Sequence, residues 1–138
     1  MSADVGDGSA GEVGFPKESY QFVLGENTEA VVPVARMYGA QGSVRVDWFT
    51  RENTAVSGQD FVETGGVVEF GHGQKEGWIK VPLLDRRKKK GFSQRSFIIE
   101  LGQPDGEATV GRYETNVLIS PPGSLTGLMF FPSIYLTK

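Results

Sequence analysis

The stretch at residues 77–84 reads GWIKVPLL, and apolar residues alternate along it. Ile79, Val81 and Leu83 fall on one side of an extended chain, because successive side chains of a β-strand point to opposite faces. From residue 14 onward, six further short segments also look extended: SYQFVL, TEAVVPVARM, GSVRVDWFT, GGVVEF, SFIIEL and ETNVLI. A period of two indicates strands with one face on a core and the other face in water.

The segments between these strands are rich in turn-forming residues. They read GEN, YGAQG, NTAVSGQD, TGG, GHGQ, RRKKKG and GQPDGEATVG. Gly, Asn, Asp and Pro favour turns, and we expect Asp60 to hydrogen-bond the backbone within its own turn. About seven short strands without a helical period predict an all-β, antiparallel two-sheet sandwich with a Greek-key crossing. Pro33 indicates an edge strand or a bulge.

The chain of 138 residues suits one domain, with a segment of different composition at each end. Residues 1–13 are small, acidic and glycine-rich, and we expect a disordered lead-in there. The sandwich is expected over 14–120, and an apolar tail over 121–138. Because a free apolar segment would aggregate, the tail should either add a strand to this sandwich or dock on a partner, and docking is the preferred interpretation. Its apolar residues include Leu128, Met129, Phe130, Phe131 and Tyr135.

The composition excludes several classes of function. A net charge of −3 gives no overall attraction to nucleic acid or anionic lipid. The chain has no cysteine, which excludes disulfide scaffolds, zinc–thiolate sites and cysteine nucleophiles. We see no signal peptide and no apolar run long enough for a transmembrane segment. We therefore favour an intracellular or cytoplasmic-side location, with an extracellular domain of a larger protein as the alternative.

We find no constellation of residues that would support catalysis. His72 is the single histidine and lies in GHG, where a turn residue is the simplest interpretation. Without a second histidine or a cysteine, neither a zinc site nor a Ser–His arrangement has support. The sequence therefore predicts a protein that is not an enzyme.

Residues 48–85 resemble the Calx-β domain. The family's T-x-D-G-T-A-x-x-G-x-D-[YF] is similar to TRENTAVSGQDF at 50–61. Its G-x-[LV]-x-F and I-x-V-x-[IL]-x-D are similar to GVVEF at 66–70 and IKVPLLD at 79–85, and SFIIELGQP and FVLGEN also match. The resemblance covers residues 15–119. It implies an immunoglobulin-like sandwich of about seven strands, found as a module in sodium/calcium exchangers, an integrin β subunit and adhesion proteins.

The resemblance also implies a calcium site at one tip of the sandwich. Glu18, Glu52 and Asp85 would be its carboxylates here, whereas Ca²⁺ takes six to eight oxygen ligands. The family's other acids are replaced by SPPG at 120–123 and by five consecutive bases, Arg86, Arg87, Lys88, Lys89 and Lys90. We therefore predict weak or absent calcium binding. No other cofactor is expected.

Three interpretations of the basic loop stay open. The bases could neutralise the tip's carboxylates as calcium does elsewhere, or the loop could simply be solvated. It could also bind an acidic protein surface or an anionic lipid. Nucleic acid is not expected as a partner, because only Phe92 supplies an aromatic ring near the bases.

Trp78, Ile98 and Leu118 fall on the faces opposite to the core residues of their strands. If their strands are neighbours, the three side chains would form an exposed apolar patch, although scattered apolar surface residues are also common. The function predicted is a non-catalytic interaction or structural module, within a larger assembly or a membrane-associated protein. The alternative is a calcium-binding regulatory or cell-adhesion domain.

Overall fold

The computed structural model describes residues 9–85 and 93–122, and these residues form a two-sheet β-sandwich. Its strands are β1 Glu12–Gly14, β2 Ser19–Val23, β3 Glu29–Met37, β4 Val44–Glu52, β5 Gly65–Phe70, β6 Glu76–Pro82, β7 Arg95–Leu101, β8 Thr109–Val110 and β9 Glu114–Ser120. One sheet has the order β6-β3-β1-β8, and the other has the order β2-β9-β7-β4-β5. The pairs β1–β8 and β2–β9 are parallel, and the remaining strand pairs are antiparallel. The predicted all-β sandwich is confirmed.

The core consists of the alternating residues that the sequence pattern indicates. Ile79 and Val81 of β6 are buried, and so are Phe97 of β7 and Val117 of β9. Burying one such side chain contributes about 1.5–3 kcal/mol. Phe61 stacks on Phe97 with ring centroids 4.0 Å apart and an interplanar angle of 11°. The loop between β4 and β5 is thereby anchored on the core.

Pro33 lies in the middle of β3, a strand with a neighbour on each side. The N–H of Arg36 donates to Lys75, so even-numbered residues of β3 face β6 and odd-numbered residues face β1. β1 ends at Gly14, which pairs with Ala35, before the chain reaches Pro33. Pro33 therefore lies at a local edge, where no neighbouring strand would accept a hydrogen bond from a backbone N–H at this position.

Two short strands lie where the sequence did not indicate any. β1 includes Glu12 and Val13, and Val13 is fully buried. The prediction of a disordered segment over residues 1–13 is therefore wrong for residues 12 and 13. β8 falls within the GQPDGEATVG connection and pairs with β1. Strands of two or three residues are too short to show an alternation of apolar and polar residues. Their formation depends on the hydrogen bonds that a neighbouring strand supplies.

A buried arginine closes one end of the sandwich. Arg36 is 2% exposed, and its guanidinium donates to backbone carbonyls of Ala10, Gln41, Gly42 and Gly71 at 2.8–3.1 Å. Burial lowers the pKa of Arg36. The side chain ties the N-terminal segment to the β3–β4 and β5–β6 connections.

Candidate functional site

Three connections meet at the end of the sandwich opposite Arg36. They are the turn at 24–28, the β4–β5 connection and the residues that follow β6. The Leu83 N–H donates to the Thr28 carbonyl at 3.0 Å, and the Leu84 N–H donates to the Asp60 carbonyl at 2.9 Å. We call this end the acidic tip, and its acidic residues include Glu26, Glu52, Asp60 and Asp85.

Glu52 is the last residue of β4, and its carboxylate turns back onto the loop that follows. Its Oε2 accepts hydrogen bonds from the Ser57 N–H and from the Ser57 hydroxyl, both at 2.8 Å. The backbone bond first, and then the hydroxyl bond, lower the pKa of Glu52, because both stabilise the ionised form. One oxygen of this carboxylate is thus used within the loop.

Asp60 is 1% exposed and has a structural role in the same loop. Its Oδ2 accepts a hydrogen bond from the Val56 N–H at 2.8 Å, and its own N–H donates to the Val56 carbonyl at 2.8 Å. The expectation that Asp60 hydrogen-bonds the backbone of its turn is confirmed. Substituting a buried acid that holds such a turn should loosen the whole tip.

The structure does not bring Glu18 together with Glu52 and Asp85. Glu18 directly precedes β2, whereas the acidic tip lies beyond Val23 at the other end of that strand, about 17 Å away. β2 is also separated from β4 by β9 and β7. The acid that the fold places at the tip is Glu26, in the β2–β3 turn. The sequence did contain an indication of this position. Glu26 lies in the GEN turn, and a turn that follows a strand lies beyond the end of that strand.

The acids of the described residues are not gathered around one point. Over residues 9–85 and 93–122, no three Asp, Glu, His or Cys side chains lie close enough to hold a metal. Glu52 already accepts two hydrogen bonds through one oxygen, and Asp60 is buried in its turn. Ca²⁺ needs six to eight oxygens around one point. The predicted basic loop, Arg86, Arg87, Lys88, Lys89 and Lys90, lies outside the described residues.

Trp78 does not share a surface with Ile98 and Leu118, so the single patch hypothesised from the sequence is wrong. β6 carries Trp78 and belongs to the four-stranded sheet, whereas β7 and β9 are neighbours in the five-stranded sheet. Ile98 and Leu118 lie on the outer face of that second sheet and are half-buried. Sheet membership follows from long-range pairing, which the alternation within one strand does not encode.

Trp78 instead belongs to an apolar surface on its own sheet. Its side chain is 53% exposed, and its residue pairs with Pro33 across the β3–β6 ladder. Other outward residues of β3 extend this surface, and Val31 and Met37 are exposed. We call it the Trp78 strip, and its members are Val31, Pro33, Ala35, Met37 and Trp78. The sequence showed Trp78 but not the strip, because the strip requires the β3–β6 register.

Charged residues occupy part of the outer face of the five-stranded sheet. Glu100 and Glu114 are directly paired across β7 and β9. Arg51 of β4 reaches both, with Nε 3.2 Å from Glu100 Oε1 and Nη2 3.3 Å from Glu114 Oε2. The cation offsets the repulsion between two like charges that face each other across a ladder.

The remaining expected site residues fall in two places. His72 is exposed, and its Nδ1 accepts a hydrogen bond from the Gly42 N–H at 2.9 Å, which agrees with a turn residue. Leu128, Met129, Phe130, Phe131 and Tyr135 of the apolar tail lie outside the described residues. Within the described ranges, no helix is long and apolar enough to cross a membrane.

Comparison with protein families matches residues 7–123 to the Calx-beta domain. The match spans most of the 138 residues, so this chain belongs to the Calx-beta domain family. The resemblance identified from the sequence is confirmed.

Two groups of known proteins are similar to this chain. Human sodium/calcium exchanger 3 is 38% identical over 74 residues, which cover 53% of this chain and 8% of the exchanger. Mouse integrin beta-4 is 28% identical over 115 residues, covering 80% of this chain and 6% of the integrin. The chain thus spans less than a tenth of the length of these relatives.

Solved structures share the fold at low sequence identity. The Calx CBD2 domain superposes with a TM-score of 0.76 at 18% identity, covering 91% of this chain and 93% of that domain. The CBD12 pair from CALX1.2 gives a TM-score of 0.74 at 22% identity, covering 83% of this chain and 46% of that structure. At these identities the comparison supports the architecture alone.

Proposed function

We propose that this chain is a non-catalytic protein-interaction or structural module of the Calx-beta type that binds calcium weakly or not at all. It acts within a larger assembly or a membrane-associated protein, as its relatives' much greater lengths suggest. The Trp78 strip is the observation that supports the interaction role most directly.

The strip has the properties of a contact surface. Trp78 is half-exposed, although it lies on a regular strand whose alternate residues are fully buried. Tryptophan contributes disproportionately to protein interfaces, because it buries a large rigid surface at low entropic cost. Val31 and Met37 lie on the same outer face and enlarge the apolar area that a partner would cover.

Weak calcium binding is supported by the chemistry of the acidic tip. Glu52 has its charge partly satisfied by Ser57, and Asp60 is committed to its turn. Five bases follow Asp85 directly in the sequence. Each base at about 6–8 Å would cost an approaching divalent cation on the order of 1 kcal/mol or more. The same bases would suit an acidic protein surface or an anionic lipid as a second contact.

A calcium-binding regulatory or adhesion domain is the alternative function. Glu26, Glu52 and Asp85 lie in or directly before three connections that meet at one end. One structure that shares the fold is the calcium binding domain CBD12 of CALX1.1. An ion that drew these carboxylates together would make the tip a sensor.

A partner test separates the interaction role from a merely exposed tryptophan. The full chain is purified from the cells that express it, together with a Trp78→Ser variant. The matched control is Phe49→Ser, because Phe49 is 43% exposed on the opposite sheet. We expect one co-purifying protein to be lost with Trp78→Ser and kept with Phe49→Ser. Equal recovery with both variants would contradict the proposal.

A calcium test separates the two candidate functions. The full chain is stripped with EGTA and melted with and without millimolar Ca²⁺, with Mg²⁺ as the ionic control. A ligand at about 100 times its Kd would stabilise the fold by about 2.7 kcal/mol and raise Tm by several degrees. We expect no calcium-specific rise. A rise that Glu52→Ala abolishes would establish the sensor function instead.

A further inference from the structure

One edge of the five-stranded sheet has open backbone groups. Among residues 9–85 and 93–122, β2 is the terminal strand of that sheet and pairs only with β9. The Asn116 N–H donates to the Glu18 carbonyl, and the Leu24 N–H donates to the Ser120 carbonyl. In a parallel ladder with these bonds, residues 20 and 22 face β9, and residues 19, 21 and 23 face away from it.

The groups that face away form a short row of donors and acceptors. The Val23 carbonyl is used by the following turn, because it accepts from the backbone N–H of Glu26 and of Asn27. Within the described part of the chain, no strand pairs with the N–H groups of Ser19, Gln21 and Val23 or with the carbonyls of Ser19 and Gln21. Such an edge is ready to accept another strand.

The core is incompletely covered beside this edge. Tyr20 and Phe22 pair with the buried Val117 and Ile119, so they point to the interior, yet both are only half-buried. The four-stranded sheet ends in β8, which has two residues and covers little. An additional strand next to β2 would therefore bury aromatic surface as well as satisfy backbone groups.

The chain continues from a position that favours this edge. β9 runs parallel to β2, and Ser120 at its end pairs with Val23 at the end of β2. A strand beyond β2 would lie about 10 Å from β9, and the four residues 121–124 can span about 13 Å when extended. Pro121 and Pro122 end β9, and residues 125–131 that follow read LTGLMFF. Returning from that end, they would run antiparallel to β2.

We propose that residues 125–131 add to the open edge of β2 as an antiparallel strand within the same molecule. Alternation gives the segment two apolar faces, with Leu128 and Phe130 on one and Met129 and Phe131 on the other, and one of them covers Tyr20 and Phe22. This inference concerns the edge of the sandwich and does not depend on the Trp78 strip or on calcium.

Amide hydrogen exchange of the full chain tests the proposal directly. We expect the N–H groups of Ser19, Gln21 and Val23 to exchange at least about tenfold more slowly than in a Phe130→Asp, Phe131→Asp double variant. The matched control is Ser124→Asp with Thr137→Asp, which adds the same charge outside the apolar residues and should keep the protection. Slow exchange of Tyr20 and Phe22, which face β9, shows that each variant is folded.

Two results would overturn the proposal. Equally fast exchange of the three amides in the wild type and the double variant would mean that nothing pairs with this edge. Protection that falls on tenfold dilution would mean that the occupant is a second copy of the chain. Neither result would change the outcome of the Trp78 or calcium tests, so the two proposals can fail separately.

A proline substitution tests the edge from its other side. Gln21→Pro removes an N–H that faces away from β9, so the β2–β9 ladder is retained. Gln21→Ala is the control, because both variants lose the 2.8 Å bond from Gln21 Nε2 to Ser120 Oγ. We expect chymotrypsin to cut after Phe130 about tenfold faster in Gln21→Pro only. Equal cutting in both variants would contradict a tail paired with β2.

Discussion

Glu52 and Ser57 are joined by two hydrogen bonds that end on a single carboxylate oxygen, each 2.8 Å long. The backbone N–H and the hydroxyl of one residue thus hold the side chain that ends β4. Both bonds stabilise the ionised form of Glu52, so Ser57 supplies part of the charge stabilisation of this carboxylate. This relationship leads to the first prediction.

Ser57→Ala should raise the pKa of Glu52, because it removes the hydroxyl bond and leaves the backbone bond. The pKa is lowered in the folded state, so the stabilisation is present above the unfolded-state pKa and is lost as the pH falls through the folded-state pKa. NMR titration of the Glu52 side-chain carboxyl measures the change. Ser43→Ala, at an exposed loop serine, is the control, and an unchanged Glu52 titration in Ser57→Ala would refute the hydroxyl's role.

Arg36→Lys should destabilise the fold strongly although the charge is kept. An ammonium group cannot reach carbonyls of Ala10, Gln41 and Gly71 together, and each buried carbonyl left unpaired costs about 1–3 kcal/mol. We expect a loss of about 3 kcal/mol or more in urea unfolding.

The control for this prediction is Arg45→Lys. Arg45 pairs with Glu69 on the surface, where both side chains are more than half exposed, so we expect a loss below about 1 kcal/mol. Similar losses for the two variants would show that the carbonyl cluster around Arg36 is not important for stability.

Phe61→Ala should cost about 3–5 kcal/mol, because Phe61 is fully buried and stacked on Phe97. A double-mutant cycle with Phe61→Leu and Phe97→Leu should give a coupling of about 0.5–1.5 kcal/mol from the ring pair. Phe49→Ala, at an exposed phenylalanine, should cost far less. A coupling near zero would mean that the two rings contribute only through their separate burial.

Arg51→Met should destabilise the fold by up to about 1 kcal/mol at low salt, and less at high salt. Glu100 and Glu114 would then face each other without the cation that contacts both. Adding Glu114→Gln to Arg51→Met should recover part of the loss. If the loss is independent of salt and is not recovered, Arg51 acts through packing of its stem rather than through charge.

The inward residues of the main strands could be predicted from the sequence. Ile79, Val81, Phe97 and Val117 are buried as the alternation indicates. The inward or outward orientation of a side chain is a local property of an extended chain, so a few neighbouring residues suffice to predict it. The same reasoning missed β1 and β8, which are too short to show a period.

The candidate site was only partly predictable. The sequence resemblance indicated Glu52 and Asp85, and the structure places both at the acidic tip. Glu18 was chosen by its distance from Phe22 along the chain, whereas the direction of β2 puts Glu26 at the tip. A spacing along the sequence does not give the direction in which a strand runs relative to its neighbours.

The sequence by itself determined the extended segments, their inward faces and the turns between them, because these follow from local sterics and from the polarity of each residue. Only the tertiary structure decided that Trp78 and Ile98 lie on opposite outer faces, that Arg36 is buried among carbonyls, and that β2 forms an edge parallel to β9. These features depend on hydrogen bonds and packing between residues far apart in the chain, and no local pattern specifies which distant strand will supply them.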